Sequence, residues 1–248
     1  MKILLIIETR NEIFPLKWYK GLTGLGNEVK ILSLFDVDYL PEGTIIKIES
    51  KCPGHRLKML LNIKRIREQV EEYNPDIVHA IEITRQGFLG SLIDFHPFIS
   101  TAIGSDIFVF PDKSIIEKYI VEYCFKKADI ITSMAEHMTE YIKEKFSFDK
   151  KKIFTFPWGC DTEVFYTTNQ INSNAAQQQP VVICTRRMDN PIYNQELLIY
   201  AIPDIIKKNK NCRFIFTGDG YLKKKYETLV SELDVTKNLV FGGALRYE

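Results

Sequence analysis

Short runs of apolar, β-branched residues recur through the first 160 positions: KILLII at 2–7, EVKILSL at 28–34, DIVHAI at 76–81, PFISTAI at 97–103, DIITS at 129–133 and KIFTF at 152–156. Between most of them the apolar positions switch to helical period, as in LKMLLNIKRIREQVEEY (57–73) and in residues 114–127. Continuously apolar strands alternating with helices predict a parallel sheet covered on both faces, because a crossover helix must join each parallel pair. Residues 1–165 are therefore expected to form one doubly wound α/β domain of Rossmann-like type. The composition then changes to YTTNQINSNAAQQQP at 166–180, polar, rich in Asn and Gln and closed by Pro180, which reads as a linker. The alternation resumes in 181–248 with strand 180–184, helix 194–209, strand 212–217, helix 222–233 and strand 238–241. That is about half of a second doubly wound sheet, with an open edge at its last strand, which the Gly-Gly pair at 242–243 is expected to turn.

Composition narrows the function classes. A hydrophobic fraction of 45% with 12% aromatics supports a proper core, and 33 basic against 32 acidic residues leaves no field of one sign to attract nucleic acid. The five cysteines (Cys52, Cys124, Cys160, Cys184 and Cys212) are odd in number, lie 24 to 72 residues apart and form no C-x-x-C pair, so free thiols are expected and neither a disulfide framework nor a zinc site. The opening MKILLIIETRNE has one lysine and five successive apolar residues before Glu8, too few for a signal peptide core or a membrane span, and a cytoplasmic protein is expected. Lys17, Trp18 and Lys20 on the first helix read as a solvated face or as a weak membrane-facing patch.

In an open parallel sheet, ligands bind outside the carboxyl ends of the strands, and three stretches occupy such places. IFTFPWGCDTEVF (153–165) ends a strand in a Pro-Trp-Gly turn, either a hinge with Trp158 as packing or part of a site. CTRRMDNPIYNQELLIYAI (184–202) ends a strand in two arginines ahead of a helix expected to start near Tyr193. Its amides and a guanidinium could converge on a phosphate, or Arg186 and Arg187 are solvated strand-end charges. FIFTGDGYLKKKYETLV (214–230) places Gly218, Asp219 and Gly220 between strand and helix, where a backbone can approach a ligand closely. It does not complete G-x-G-x-x-G, which argues against a nicotinamide dehydrogenase.

Taken in order, PWGCDTEVF, the CTRRMDN stretch, GDGYLKKKYETL and LVFGG resemble family 4 glycosyltransferases, as do NPDIVHA (74–80), GSDI (104–107) and ADIITSMAEHM (128–138) in the first domain. The resemblance implies the GT-B architecture, one complete Rossmann-like domain plus about half of a second, and transfer of a sugar from a nucleotide-sugar donor to an acceptor with retention of configuration. It implies that residues 1–165 hold the acceptor and residues 181–248 the donor, such as a UDP- or GDP-sugar, with no metal and no further cofactor. Carried over residue by residue, it points to Asp106 and Arg187 for catalysis; His79 in DIVHAIE is the other catalytic candidate, because it is expected late in its strand. Donor binding falls on Arg186, Arg187, Tyr193, Gly218, Asp219, Gly220, Gly243 and Leu245. His79 is otherwise a hydrogen-bonded strand histidine, and His55, His96 and His137 read as structural or exposed.

The pattern also breaks in places. Tyr193 stands where relatives often carry a lysine, giving a hydroxyl without a charge. Ile103 replaces a histidine before the Gly104 turn, leaving Ser105 and Asp106 as its polar groups. Thr9, Arg10 and Asn11 replace a Gly-Gly pair in the first turn. The later donor-site elements, including an E-x7-E pair, do not follow NLVFGG. The expectation is thus a glycosyltransferase cut through its second domain and impaired for transfer. The alternative is a non-catalytic sugar- or nucleotide-binding module derived from one, docking a partner subunit at its open C-terminal sheet edge.

Overall fold

The computed structural model describes residues 1–9, 13–33, 37–48, 55–160, 162, 163, 165, 166 and 179–245. Arg10, Asn11, Cys52, Asp161, most of the polar linker and the His55 side chain lie outside the described residues. The chain divides into two compact units, Met1–Asp161 and Thr162–Glu248.

The first unit runs β1 (Lys2–Ile6), α1 (Ile13–Gly24), β2 (Glu28–Ser33), β3 (Ile45–Lys47), α2 (His55–Tyr73), β4 (Ile77–Ile81), α3 (Phe88–Ile93), β5 (Phe98–Ala102), α4 (Ser105–Phe108), α5 (Ile115–Lys127), β6 (Ile130–Ser133), α6 (Glu136–Lys145) and β7 (Ile153–Thr155). The strands form one parallel sheet in the order β3-β2-β1-β4-β5-β6-β7. Strand β3 is not anticipated by the apolar pattern. Its three residues, Ile-Ile-Lys, are too few to show a period.

Residues two apart share a face of a strand, and the two faces are covered unequally. Leu4, Ile6, Leu32, Val78 and Ala80 pack beneath α2, α3, α5 and α6 through Ile66, Val70, Leu89, Phe125 and Ile142. Each fully buried side chain there contributes on the order of 2 kcal/mol. On the opposite face Ile3, Leu5, Val29 and Ile31 meet Leu16, Trp18, Tyr19 and Leu22 of α1. That cover runs out at the outer strands, where Ile130, Phe154 and Phe156 are 37%, 55% and 61% exposed. The expected two-sided cover is therefore complete on one face only.

The second unit runs β8 (Val181–Cys184), α7 (Gln195–Lys208), β9 (Arg213–Thr217), α8 (Lys223–Glu232) and β10 (Leu239–Gly243), with parallel strand order β10-β9-β8. Both helices pack on one face, against Phe214, Phe216 and Leu239, through Ile199, Ile202, Tyr226 and Val230. Val181, Ile183 and Val240, which share the other face by register, are at least half exposed. This unit is half of a doubly wound fold in its cover as well as in its strands. Two sequence expectations are corrected here. The Gly-Gly pair does not turn the last strand, because β10 continues through Gly243 by shifting register after Phe241. Helix α7 starts at Gln195: Pro191–Tyr193 form a separate 3-10 turn, and Asn194 is left-handed at φ 47°.

Candidate active site

In the first unit, β1 and β4 are neighbours whose chains leave toward opposite edges of the sheet, so a crevice opens between their carboxyl ends. Glu8 and Thr9 follow β1, and Glu82 follows β4. Glu82 has φ 90° and ψ 126°, far from the small left-handed helical region that other residues here visit. Its buried carboxylate fixes that backbone. Oε1 accepts from the Thr84 amide at 2.9 Å and from the Thr84 hydroxyl, and Oε2 from the Arg85 amide at 2.9 Å, opening a π-helical turn over Ile83–Gly87. With its amide oriented to satisfy both neighbours, Gln86 donates to Glu82 and accepts the Glu8 N–H at 3.3 Å, linking the ends of the two strands. Arg85 lies across the crevice mouth, 3.6 Å from Glu8 and 3.7 Å from Glu82.

Asp106 sits beside this turn, 2% exposed, and accepts the amides of Ile83 (2.9 Å), Gly104 (2.7 Å) and Ile103 (3.2 Å). It ties the loop after β5 to the π-helical turn after β4. Burial, with the Glu82 charge added, pushes its carboxyl up to about 6, against the pull of those amides. His79 lies at the centre of β4 rather than at its end. Its Nε2 is 2.7 Å from the Thr101 hydroxyl, which pairs with Thr132 at 2.7 Å, and Trp18 packs edge-on at 5.2 Å. Desolvation pulls this imidazole down to about 4, so it is neutral near pH 7. Its contacts are with Trp18 and Thr101, not with Asp106. His96 pairs with Asp129 at 2.6 Å and His137 stacks on Phe108. Glu82, Arg85 and Glu8 are absent from the residues singled out by sequence, although IIETR and AIEITRQG follow two strands that the apolar pattern locates.

In the second unit a cavity of about 520 Å³ opens at the carboxyl ends of the strands, lined by Thr185, Arg187, Thr217, Gly218, Asp219, Gly220, Ala244 and Leu245. The Gly218-Asp219-Gly220 turn shapes this cavity in a way the sequence does not reveal. A Cβ on Gly218 would stand 2.6 Å from the Arg186 carbonyl oxygen, and one on Gly220 would stand 2.3 Å from Met188 backbone atoms, at φ values of 105° and 154°. The glycines thus let two loops of the protein touch. The loops are joined by Met188 N–H to Asp219 O at 3.0 Å and Leu222 N–H to Met188 O at 2.9 Å. Nor are the glycine amides open donors: Gly218 donates to Gly243 O at 2.6 Å and Gly220 to the Asp219 carboxylate at 2.8 Å.

The two arginines diverge. Arg187, 77% exposed in its side chain, reaches the cavity and pairs with Asp189 at 2.6 Å. Arg186 stacks over the Tyr193 ring at 5.2 Å, and neither residue lines the cavity. Gly243 also stays out of the lining, whereas Leu245 is in it. Gln195, at the start of α7, is buried and donates to the Arg186 carbonyl at 2.8 Å. Polar side chains at the cavity, among the described residues, are those of Arg187, Thr185, Thr217 and Asp219. Among the described residues, no group of three or more His, Cys, Asp or Glu side chains is placed to hold a metal ion.

A seven-stranded parallel sheet followed by a smaller parallel sheet, with its cavity at the strands' carboxyl ends, is the GT-B type of architecture. Residues 2–135 match the family described as glycosyl transferase 4-like, and the chain belongs to that family. Among solved structures it is similar to Anabaena Alr3699/HepE in complex with UDP (15% identity, 99% of this chain and 70% of that one, TM-score 0.72) and to sucrose-phosphate synthase from Thermosynechococcus elongatus (15%, 99% and 71%, 0.72). The UDP-GlcNAc 2-epimerase of Methanocaldococcus jannaschii matches less well (16%, 100% and 74%, 0.59). At these identities the likeness is one of fold. No curated protein matches the chain.

Proposed function

We propose that this chain serves the transfer of a sugar from a nucleotide-sugar donor to a hydroxyl acceptor, with retention of configuration. Residues 181–248 take the donor, residues 1–165 the acceptor, and 166–180 join them. The observation that carries the reading is the cavity at the ends of β8, β9 and β10, lined by Arg187 together with Thr185 and Thr217. A leaving diphosphate needs stabilised negative charge, and a guanidinium fork supplies it without a metal. The Anabaena relative solved with UDP and glucose supports a UDP-type donor. Arg187 is the group placed to touch the donor. Asp106 and His79 act on the acceptor side as positioning residues, Asp106 by fixing the strand-end turn and His79 by supporting α1 through Trp18. The reading places the chain in the cytoplasm, where a reducing environment suits the thiols of Cys184 and Cys212. Calorimetric titration with UDP, GDP and uridine tests it. Diphosphates are expected to bind and uridine to bind more weakly, with Arg187→Ala abolishing the difference; a variant that still prefers the diphosphates as strongly as the wild type would reject the role of Arg187.

A second reading rests on β10 standing at the edge of its sheet among the described residues, where an edge strand offers backbone N–H and C=O groups to another strand. The chain would then be a binding module completed by a partner subunit. Light scattering separates the two: a monodisperse complex with added partner protein supports the module, and a monomer that binds UDP alone supports the first reading.

A further inference from the structure

Gln195, the first residue of α7, fixes the peptide that carries Arg187. Residues 185–190 have no helix or strand of their own, so their backbone is held from outside. Gln195 is 2% exposed, and its Nε2 donates to the Arg186 carbonyl at 2.8 Å. Its Oε1 is buried and has no hydrogen-bond partner among the described residues. The reverse orientation of the amide would set Oε1 against the Arg186 oxygen, acceptor to acceptor, so the orphaned oxygen is the consequence of holding that carbonyl. A buried acceptor left unpaired costs stability that an apolar side chain of the same size would not. The cost falls at the loop that bears the candidate donor-site cation.

The Arg186 C=O and the Arg187 N–H belong to one planar peptide, and it is trans, since His96–Pro97 is the only cis bond among the described residues. Holding the carbonyl therefore also orients the N–H, which points the opposite way. The carbonyl side is closed by Gln195 and by Gly218, where a Cβ would stand 2.6 Å from the Arg186 oxygen. Met188, the next residue, uses both backbone groups on the neighbouring turn, its N–H on Asp219 O and its carbonyl on the Leu222 N–H. The Arg187 N–H meets no acceptor among the described residues. We infer that Gln195 is a positioning residue of the donor site: by holding the Arg186 carbonyl it presents the Arg187 N–H to the same phosphate that the Arg187 guanidinium binds. The inference rests on the assignment of the donor's diphosphate to Arg187. It adds a backbone donor, set by a buried side chain, to the guanidinium fork.

The test is a nuclear magnetic resonance titration of the full ¹⁵N-labelled chain with UDP and, separately, uridine, with calorimetry of both ligands. In the wild type the Arg187 amide proton is expected to move downfield to saturation with UDP, as an N–H does on donating to a phosphate oxygen, and not with uridine. Gln195→Met fills the same space without a donor and also removes the orphaned Oε1, so its thermal transition should stay near that of the wild type. UDP should bind this variant about tenfold more weakly, the loss of one hydrogen bond to a charged group, with uridine affinity unchanged and the Arg187 downfield shift reduced. A wild-type Arg187 amide that does not respond to UDP, a measurement that needs no variant to fold, would overturn the inference. So would a Gln195→Met protein that prefers UDP over uridine as strongly as the wild type. Arg187→Ala keeps the two readings apart. Preference lost in Arg187→Ala but kept in Gln195→Met removes this inference alone, and preference kept in Arg187→Ala removes the donor reading as well.

Discussion

Asp106→Asn is the substitution whose energetics the structure specifies most fully. The Asp106 carboxyl is 2% exposed and titrates at about 6 when folded, against 3.8 for an ordinary aspartate. Because its folded value is raised, the native state holds the proton more tightly than the unfolded chain. This stabilisation is fully present below pH 4 and is lost as pH rises through 6. A gap of about two pH units at ~1.4 kcal/mol each makes the loss roughly 3 kcal/mol. The asparagine variant does not titrate. It also sets an amide N–H₂ against one of the N–H groups of Ile83, Ile103 and Gly104, an offset of about 1–3 kcal/mol that does not vary with pH. Urea denaturation followed by tryptophan fluorescence reports the first unit, because both tryptophans, Trp18 and Trp158, lie in it. Subtracting variant from wild type at each pH cancels the other titrating groups. The difference should fall by about 3 kcal/mol between pH 4 and pH 7, at about 1.4 kcal/mol per pH unit between the ordinary value of 3.8 and the folded value of about 6, and level off above that. A flat difference, or one rising with pH, would refute the claim that burial and Glu82 outweigh the three amides.

His79 should act with the opposite sign. Its folded value of about 4 lies below the ordinary 6.5, so its contribution is complete above pH 6.5 and is lost as pH falls toward 4; in denaturation curves His79→Gln should flatten that limb. Gly220→Ala forces a Cβ to 2.3 Å from the Met188 backbone at φ 154°, and should destabilise the second unit by at least ~2 kcal/mol, seen as faster amide exchange in β8 and β9. An unchanged exchange rate would mean that the two loops can separate freely. Asp189→Asn releases Arg187 from an exposed ion pair worth no more than about 1 kcal/mol, so UDP affinity should rise by at most about fivefold in calorimetry.

Legibility in the sequence follows the physics of each element. Strands β1, β4 and β5 are continuous apolar runs because they lie inside a parallel sheet, and their residues announce them. The second unit's β-α-β-α-β order is equally plain. What stays hidden depends on three-dimensional neighbours. The π-helical turn hangs on a glutamate at positive φ, a conformation for which Gly or Asn is the usual signal. The Gly218-Asp219-Gly220 turn can be read as a ligand cradle from sequence, yet its missing Cβ atoms face another loop. Two adjacent arginines look equivalent until Tyr193 takes one and Asp189 holds the other at the cavity. Glu8 and Arg85 are 77 positions apart in the sequence and become a pair only because β1 and β4 are adjacent in the sheet.

The central claim is that the second unit's strand-end cavity receives the diphosphate of a nucleotide sugar through Arg187. The most direct measurement is a titration of UDP into the ¹⁵N-labelled chain, reading every assigned amide. The account predicts saturable shifts at Thr185, Arg187, Thr217, Gly218 and Leu245 that disappear in Arg187→Ala. Shifts confined to residues 1–160, or shifts at the cavity that persist unchanged in the variant, would contradict it.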